Sequence, residues 1–248
     1  MDAEKTPEEQ LKELEEADLD VWYYYGGVLF TLAKKQLRED RWGLDPDLIV
    51  THAEILTEGM KSTIREAFDA PVHDEYGTTE FNRMAWQCEE GNYHLDSDSL
   101  YVEFQDTELG TEPVITSLVK KDMPMIRYRM GDIVERKRGE CACGRGLPMI
   151  EPPEGRKGKF INGVSPRSIV ESLADVTDFL MYRVEKNEEG LSLKYVPNTG
   201  FSSGSVDEAL DTLEELLGER PEPEEVDYLE KTRGGKRPMV DNLTSGSC

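Results

Sequence analysis

The sequence lacks long hydrophobic runs, and no window approaches the roughly 18 to 20 apolar residues that a membrane helix needs. Its first ten residues, MDAEKTPEEQ, are acidic and lack the apolar stretch of a secretory signal. These absences predict a soluble, cytoplasmic protein with no membrane partner. The 248 residues are 37% hydrophobic and 33% charged, which is typical of a globular chain of one or two domains.

Positive charge is also scarce, because 29 Lys and Arg face 52 Asp and Glu, and the formal net charge is -23. Such a surface repels phosphate backbones, so we expect no nucleic-acid partner. The acidic residues are spread along the whole chain instead of forming one tail. This distribution favours a halophilic protein, since high salt screens the self-repulsion. An acidic mesophilic protein is the alternative.

The four cysteines are too few and too unevenly spaced for a disulfide framework in a chain of this length. Cys88 and His94 lie six residues apart, and Cys141 and Cys143 form a Cys-x-Cys-Gly turn. Three thiolates and one imidazole are the ligand set of a closed structural zinc site. Two buried apolar cysteines beside a surface turn are the alternative. Cys248 is expected to take no part.

Hydrophobic periodicity predicts an α/β arrangement in the first part of the chain. A helix should begin at Thr6, whose neighbours complete a capping box. A second helix is predicted over 27–38 and a third from Thr57, with a buried strand at 48–50 between them. Short β-rich segments separated by turn residues follow between 100 and 137 and predict a smaller β region.

Proline and glycine are concentrated between residues 139 and 163, which makes this interval the best candidate for a domain boundary. We therefore predict that residues 1–154 form a larger α/β part with a β-rich subdomain. Residues 155–163 would be a hinge, and residues 164–248 a small, mobile α+β domain.

Within that small domain, the pattern predicts a helix over 165–174 and a hairpin that turns at 187–190. Ser205 and Glu208 have the spacing of a second capping box ahead of an apolar stripe. A last strand is predicted over 225–229.

One segment that follows a predicted strand combines an aromatic ring, a glycine, two hydroxyls and a carboxylate. This mixture suits a nucleotide, because the ring can contact a base, the hydroxyls a phosphate, and the acid a hydrated Mg²⁺ ion. An ordinary polar loop is the alternative. The segment is Glu75-Tyr76-Gly77-Thr78-Thr79-Glu80.

Three further positions are candidates for nucleotide contact. Asp132 follows a glycine between two β segments and has the chemistry to accept both hydrogen bonds of a ribose diol; a turn aspartate is the alternative. Arg156 offers a guanidinium in the interdomain interval, or is part of a solvated linker. Lys236 follows two glycines and is suited to stabilise charge on a carboxylate and an α-phosphate; otherwise it is a surface lysine.

Five segments occur in a characteristic order along the chain: Ala53-Glu54, YGTTE, RYRMGDI followed by CACGR, EGR, and TRGGK. In their order and spacing the sequence resembles the adenylate-forming superfamily of acyl-CoA synthetases. The resemblance is greatest to the phenylacetate-CoA ligase branch, which includes relatives in capsular-polysaccharide biosynthesis. It implies a truncated adenylate-forming ligase fold.

The resemblance implies a reaction in two halves. A carboxylic acid attacks the α-phosphate of ATP, which releases pyrophosphate and leaves an acyl adenylate. After the small domain rotates, a thiol displaces AMP, and this thiol is usually that of coenzyme A. The expected ligands are therefore a carboxylic acid, ATP, Mg²⁺ and coenzyme A.

The same resemblance assigns roles to the residues of YGTTE. Tyr76 would stack on adenine, beside Gly77 and Thr78 in the nucleotide site. Thr79 would contact the α-phosphate, and Glu80 would bind Mg²⁺.

Outside YGTTE, the resemblance assigns Asp132 to the ribose hydroxyls and Arg156 to a nucleotide contact beside the hinge. Lys236 would assist adenylation.

The sequence departs from the family pattern in two ways. No Gly-rich loop followed by lysine precedes residue 75, so the resemblance covers about the C-terminal three-fifths of a family member. An upstream polypeptide is a candidate source of that phosphate loop. Lys157-Gly158-Lys159 stands where a hinge acid is expected.

These departures keep other functions open. A non-catalytic nucleotide- or zinc-binding module, or one subunit of a split enzyme, is the alternative. A homodimer is a further candidate partner state. A zinc ribbon that binds nucleic acid is a third hypothesis, which the net charge opposes.

Overall fold

The computed structural model of the chain describes residues 5–232 and 235–244. Within these ranges the chain divides into two units. The terminal unit joins the described residues up to 72 with those from 159 onward, and the central unit comprises residues 73–158. The predicted hinge at 155–163 concerns domain movement and stays a prediction. Cys248 lies outside the described residues.

The first part of the terminal unit contains three helices and two strands, and it confirms the predicted α/β rhythm. Thr6 caps the first helix through a capping box with Glu9, and the Thr57 side chain caps the third. The first strand was not predicted, and it pairs in parallel with the second. The elements are α1 (Pro7–Ala17), β1 (Val21–Tyr25), α2 (Gly26–Glu39), β2 (Leu48–His52) and α3 (Glu58–Phe68).

The central unit consists of short strands, as the turn-rich sequence predicted. β3, β4, β5, β11 and β10 pair in this order, each antiparallel to the next. β6, β7 and β8 form a three-stranded antiparallel sheet, and β9 pairs with β12. The bounds are β3 (Val72–Thr78), β4 (Asn82–Gln87), β5 (Tyr93–Leu95), β6 (Leu100–Thr107), β7 (Gly110–Ser117), β8 (Tyr128–Arg129), β9 (Asp132–Ile133), β10 (Arg136–Lys137), β11 (Met149–Ile150) and β12 (Gly155–Arg156).

The last part of the terminal unit follows a short 3₁₀ helix at Lys157–Lys159, and its described residues form two helices and four strands. The predicted hairpin is β13–β14, and the outer strands β15 and β16 each pair with it in parallel. The elements are α4 (Pro166–Ser172), β13 (Phe179–Asn187), β14 (Gly190–Pro197), α5 (Gly204–Leu217), β15 (Glu222–Glu225) and β16 (Val240–Asn242).

Two details of this part correct the sequence predictions. Among the described residues no side chain caps the start of α5, whose N-cap is Ser203, because the Ser205 hydroxyl donates to Asp178 instead. The predicted strand over 225–229 is wrong in position, since β15 ends at Glu225.

One apolar core joins the two parts of the terminal unit. It contains side chains from α2 and α3 together with side chains from α4, β13 and α5, so the unit is held by contacts between distant stretches of sequence. Within the described ranges, no helix has both the length and the apolar character that crossing a membrane requires.

A lysine lies inside this core. Lys34 on α2 is 2% exposed, donates a hydrogen bond to the carbonyl of Phe179, and places its ammonium 4.3 Å from the centroid of the Phe30 ring. Burial penalises the charged form and lowers the pKa of Lys34 to about 7.

Replacing Lys34 by methionine is expected to stabilise the protein by about 3 kcal/mol at pH 6, because methionine keeps the volume and removes a buried charge. In the unfolded chain, the Lys34 ammonium stays protonated up to about pH 10.4. The wild type should therefore gain stability as the pH rises above 7, and the difference between the two proteins should shrink. Urea unfolding at pH 6, 7, 8 and 9 measures this difference in stability.

Lys12→Met, at a side chain that is 70% exposed, is the control. A variant less stable than the wild type at pH 6 contradicts the prediction.

Candidate functional site

The YGTTE segment lies at one end of the β3–β4 hairpin. Tyr76 pairs with Ala85 across the hairpin, and a bulge separates this pair from Gly77. The Thr78 hydroxyl accepts a hydrogen bond of 3.3 Å from the amide of Phe81, which closes the turn. Thr79 is exposed at this turn, next to the half-buried Glu80. Both side chains whose predicted roles involve phosphate and Mg²⁺ are thus accessible.

Gly77 is required by a close approach of the two strands. A Cβ atom added at this position would lie 2.1 Å from the carbonyl oxygen of Asn82 and 3.1 Å from the Cα of Arg83. Both neighbours are backbone atoms, which cannot move without disturbing the hairpin.

Gly77→Ala is therefore expected to destabilise the protein by about 2 kcal/mol, since the strands must separate to admit the methyl group. Chemical denaturation measures the loss. Gly146→Ala is the matched control, because no described atom lies within 4 Å of an added Cβ there. Equal stability of the two variants would show that the bulge tolerates a side chain.

Asp132 brings together the aromatic and the basic residue predicted to contact the nucleotide. The Tyr76 hydroxyl donates a hydrogen bond of 2.7 Å to Asp132 Oδ2. The pairing of β9 with β12 sets Arg156 opposite Asp132, with 3.5 Å between Nε and Oδ1. Asp132 itself is 7% exposed.

The electrostatics of this group keep the tyrosine protonated. Burial, followed by the adjacent Asp132 carboxylate, raises the pKa of Tyr76 well above its ordinary value. Tyr76 is therefore a hydrogen-bond donor to Asp132 Oδ2, and Arg156 lies beside Oδ1.

Sequence reasoning missed a buried acid that supports this group. Glu112 on β7 accepts hydrogen bonds from Arg129 Nε at 2.9 Å, Lys157 Nζ at 2.7 Å and the Gly131 amide at 3.1 Å. Although burial raises the pKa of Glu112, the hydrogen bonds from Arg129 and Lys157 hold it below its ordinary value. Glu112 thus ties the residues before Asp132 to the residue after Arg156.

Lys236 lies in the terminal unit, at the end of a tight turn. The Thr232 amide donates to the Lys236 carbonyl at 2.9 Å, and the Gly235 amide donates to the Thr232 carbonyl at 2.9 Å. Gly235 has φ of +81°, a conformation that glycine adopts without strain. Arg233 and Gly234 of the TRGGK segment lie outside the described residues.

The Ala53-Glu54 segment contacts this turn within the terminal unit. One carboxylate oxygen of Glu54 accepts from the Arg237 amide at 3.1 Å, and the other accepts from the Gly27 amide at 2.8 Å. The family resemblance includes this segment but assigns no role to the Glu54 carboxylate.

The predicted metal ligands come together in the central unit. One ligand atom from each of the four side chains lies within 4.8 Å of the other three. The Cys88 and Cys141 sulfurs are 3.6 Å apart, and Cys143 Sγ is 3.3 Å from His94 Nε2. His94 is fully buried, and among the described residues its Nδ1 has no hydrogen-bond partner.

Polar groups surround the sulfurs of this cluster. The Asn92 amide lies 3.2 Å from Cys141 Sγ. Burial raises the pKa of the Cys88 thiol. Burial also opposes ionisation of Cys143, but hydrogen bonds from Arg145 outweigh it and lower the pKa of Cys143 to about 6. Arg145 also pairs with Glu89 at 2.7 Å.

Comparisons with known proteins agree with the predicted fold. No protein-family model matches the chain. Protein CapK of Staphylococcus aureus is 29% identical over 91 residues, which are 36% of this chain and 20% of that protein.

Solved structures cover nearly the whole chain. A 2-hydroxyisobutyryl-CoA ligase in the postadenylation state, in complex with R3-HIB-AMP, has a TM-score of 0.76 at 21% identity over 96% of this chain and 58% of its own. The anthranilate CoA ligase AuaEII, in complex with anthranoyl-AMP, has a TM-score of 0.68 at 16% identity over 96% and 52%. A benzoate CoA ligase from Burkholderia xenovorans LB400 has a TM-score of 0.64 at 17% identity over 94% and 53%.

The chain therefore has the fold of the adenylate-forming acyl-CoA ligases, as the resemblance predicted, and it spans between 52 and 58% of the length of these structures. The phenylacetate-CoA ligase branch stays a prediction.

Proposed function

We propose that this chain takes part in ATP-dependent activation of a carboxylic acid, followed by transfer of the acyl group to coenzyme A. The convergence of Tyr76, Asp132 and Arg156 carries the proposal. These residues come from three separate segments, match the family motifs in order, and meet within hydrogen-bond or ion-pair distance. The ligand complexes of the structurally similar ligases support an acyl-adenylate intermediate.

The proposed first half forms one bond and breaks another. A carboxylate oxygen of the acid attacks the α-phosphorus of ATP, the bond from that phosphorus to the bridging oxygen breaks, and pyrophosphate leaves. Asp132 would accept hydrogen bonds from the ribose, and Thr79 would donate to the α-phosphate. Lys236 would stabilise the charge that develops on the carboxylate and phosphate oxygens.

In the proposed second half, the thiol sulfur of coenzyme A attacks the acyl carbon. The bond from that carbon to the phosphate oxygen breaks, AMP leaves, and the thiol proton passes to solvent. Positioning of the two anionic reactants would supply much of the acceleration.

Glu80 is the residue proposed to hold Mg²⁺. Its side chain is half-buried, next to the exposed Thr79. Mg²⁺ keeps several waters and binds one or two carboxylates together with substrate phosphates, which is the role proposed for Glu80. The ion would neutralise phosphate charge.

A pyrophosphate-release assay over a panel of aromatic and aliphatic acids tests the proposal. The chain is assayed alone and together with any polypeptide encoded directly upstream, which we propose as a source of the phosphate loop. Release that depends on the acid is expected under at least one of these conditions. ATP binding without release under every condition would instead identify a non-catalytic nucleotide-binding module.

We further propose that Cys88, His94, Cys141 and Cys143 hold a structural zinc ion. Zinc–sulfur bonds are about 2.3 Å, so two thiolates of a tetrahedral site lie about 3.8 Å apart. The 3.6 Å separation of Cys88 and Cys141 agrees with this spacing. His94 Nε2 faces Cys143 Sγ at 3.3 Å, so the imidazole is turned toward the thiolates as a fourth ligand would be.

The polar surroundings also fit a zinc site. Three thiolates and one zinc ion carry a net charge of about -1, which the neighbouring Arg145 guanidinium would offset. Asn92 donates to a cluster sulfur, as outer groups around thiolate ligands do. All four ligands would be protein groups, so the ion would stabilise the fold and leave no open position for catalysis.

A further inference from the structure

Glu54 occupies a position from which one carboxylate contacts two distant backbone segments. It directly follows Ala53, whose φ of +65° is a left-handed conformation uncommon for alanine. This turn follows the end of β2. It lets the two carboxylate oxygens reach the Gly27 amide at 2.8 Å and the Arg237 amide at 3.1 Å.

The first contact anchors Glu54 to α2. Gly27 lies in the first turn of that helix, where amides lack partners within the helix and the helix dipole favours a negative charge. A Cβ added at Gly27 would lie 2.8 Å from the carboxylate, so a glycine allows the close approach.

The second contact fixes the turn that carries Lys236. Arg237 follows Lys236 directly, and its amide is the group that Glu54 accepts from. Burial raises the pKa of Glu54, while the two amides and the nearby charges of Lys236 and Arg237 oppose this shift. The Glu54 carboxylate thus accepts a hydrogen bond from the turn that carries Lys236 and also lies near the positive charges of Lys236 and Arg237.

We propose that Glu54 is a positioning residue that holds the turn at residues 235–237 against the start of α2, and thereby places Lys236 for acyl-adenylate formation. The inference rests on the proposed function. In this proposal, the Ala53-Glu54 segment contributes to acyl-adenylate formation and does not contribute to thioester formation.

Replacing a residue that merely caps α2 would also destabilise the protein, so a stability measurement does not distinguish capping from positioning. Separate measurement of the two half-reactions does distinguish these roles. A helix cap would affect both halves alike, whereas a positioning residue for Lys236 would affect only the half in which the lysine acts.

The experiment compares Glu54→Ala and Glu54→Gln with Glu66→Ala, which removes an exposed carboxylate from α3. Acyl-adenylate formation is measured as pyrophosphate release, and thioester formation is measured from added acyl adenylate and coenzyme A.

Glu54→Ala should slow acyl-adenylate formation about 10- to 100-fold and change the rate of thioester formation less than about twofold. Glu54→Gln keeps one acceptor and should lie between. Equal losses in both halves, or no loss in the first, would overturn the proposal.

Hydrogen exchange supplies a readout that does not need turnover. In Glu54→Ala, the peptide that contains the Arg237 amide should exchange faster than in the wild type. In Glu66→Ala, its exchange rate should equal that of the wild type. If the wild type forms no acyl adenylate, the proposed function fails by itself. Unchanged exchange at Arg237 in Glu54→Ala would overturn the positioning role whether or not the protein is active.

Discussion

Replacing Lys236 by alanine is expected to slow acyl-adenylate formation by about 10² to 10³-fold. The ammonium would stabilise charge that appears on the carboxylate and α-phosphate oxygens only as the reaction proceeds. Its loss should therefore lower kcat more than it raises KM for ATP. Thioester formation from added acyl adenylate should stay near the wild-type rate, since the lysine is assigned only to the first half.

Two variants sharpen this measurement. Lys236→Arg keeps the positive charge but replaces a compact ammonium by a planar guanidinium, so it should recover only part of the rate. Lys12→Ala removes an exposed lysine from α1 and should have wild-type activity. An unaltered adenylation rate in Lys236→Ala would remove this lysine from the mechanism.

Loss of the metal cluster is the second large effect that we expect. Protein purified without chelator should contain about one equivalent of zinc, and Cys88→Ala should contain little. Because the ion would join the turn after β4 to the turn before β11, its loss should cost about 4 kcal/mol of stability. Thermal unfolding with and without a chelator, together with elemental analysis, measures both effects.

Cys248→Ser is the control for this prediction, since Cys248 is assigned to no site. It should keep its zinc and its melting temperature. Metal-free protein that is as stable as the untreated protein would mean that the four side chains are a buried apolar cluster.

The helices were predictable where their signals are local. Thr6 and Thr57 cap the helices that follow them because a hydroxyl three residues ahead of an amide needs no distant partner. β1 was missed although Asp20 and Gly26 flank it, since the run Val21–Tyr25 does not alternate strictly between apolar and polar residues. The Ser205 cap failed because Asp178, 27 residues away, binds that hydroxyl instead. Such competition between distant groups leaves no trace in a local pattern.

Some residues of the candidate site were also predictable from the sequence, and others were not. Cysteine and histidine are rare in this chain, so the spacing of Cys88, His94 and Cys141 was informative in itself. Glu112 belongs to a set of 52 acidic residues, and nothing in its neighbourhood marks it. Glu54 belongs to a segment that carries the family resemblance, but no role was assigned to its carboxylate. Glu54 meets Arg237 across 183 positions, a contact that only the folded chain reveals.

Isotope transfer from the carboxylic acid to AMP tests the central claim most directly. The acid is supplied with ¹⁸O in both carboxylate oxygens, together with ATP, coenzyme A and the chain, alone and with any upstream polypeptide. Attack of the carboxylate on the α-phosphorus predicts AMP that carries one ¹⁸O atom, detected by mass spectrometry. AMP without label, formed while the thioester accumulates, would contradict an acyl-adenylate intermediate.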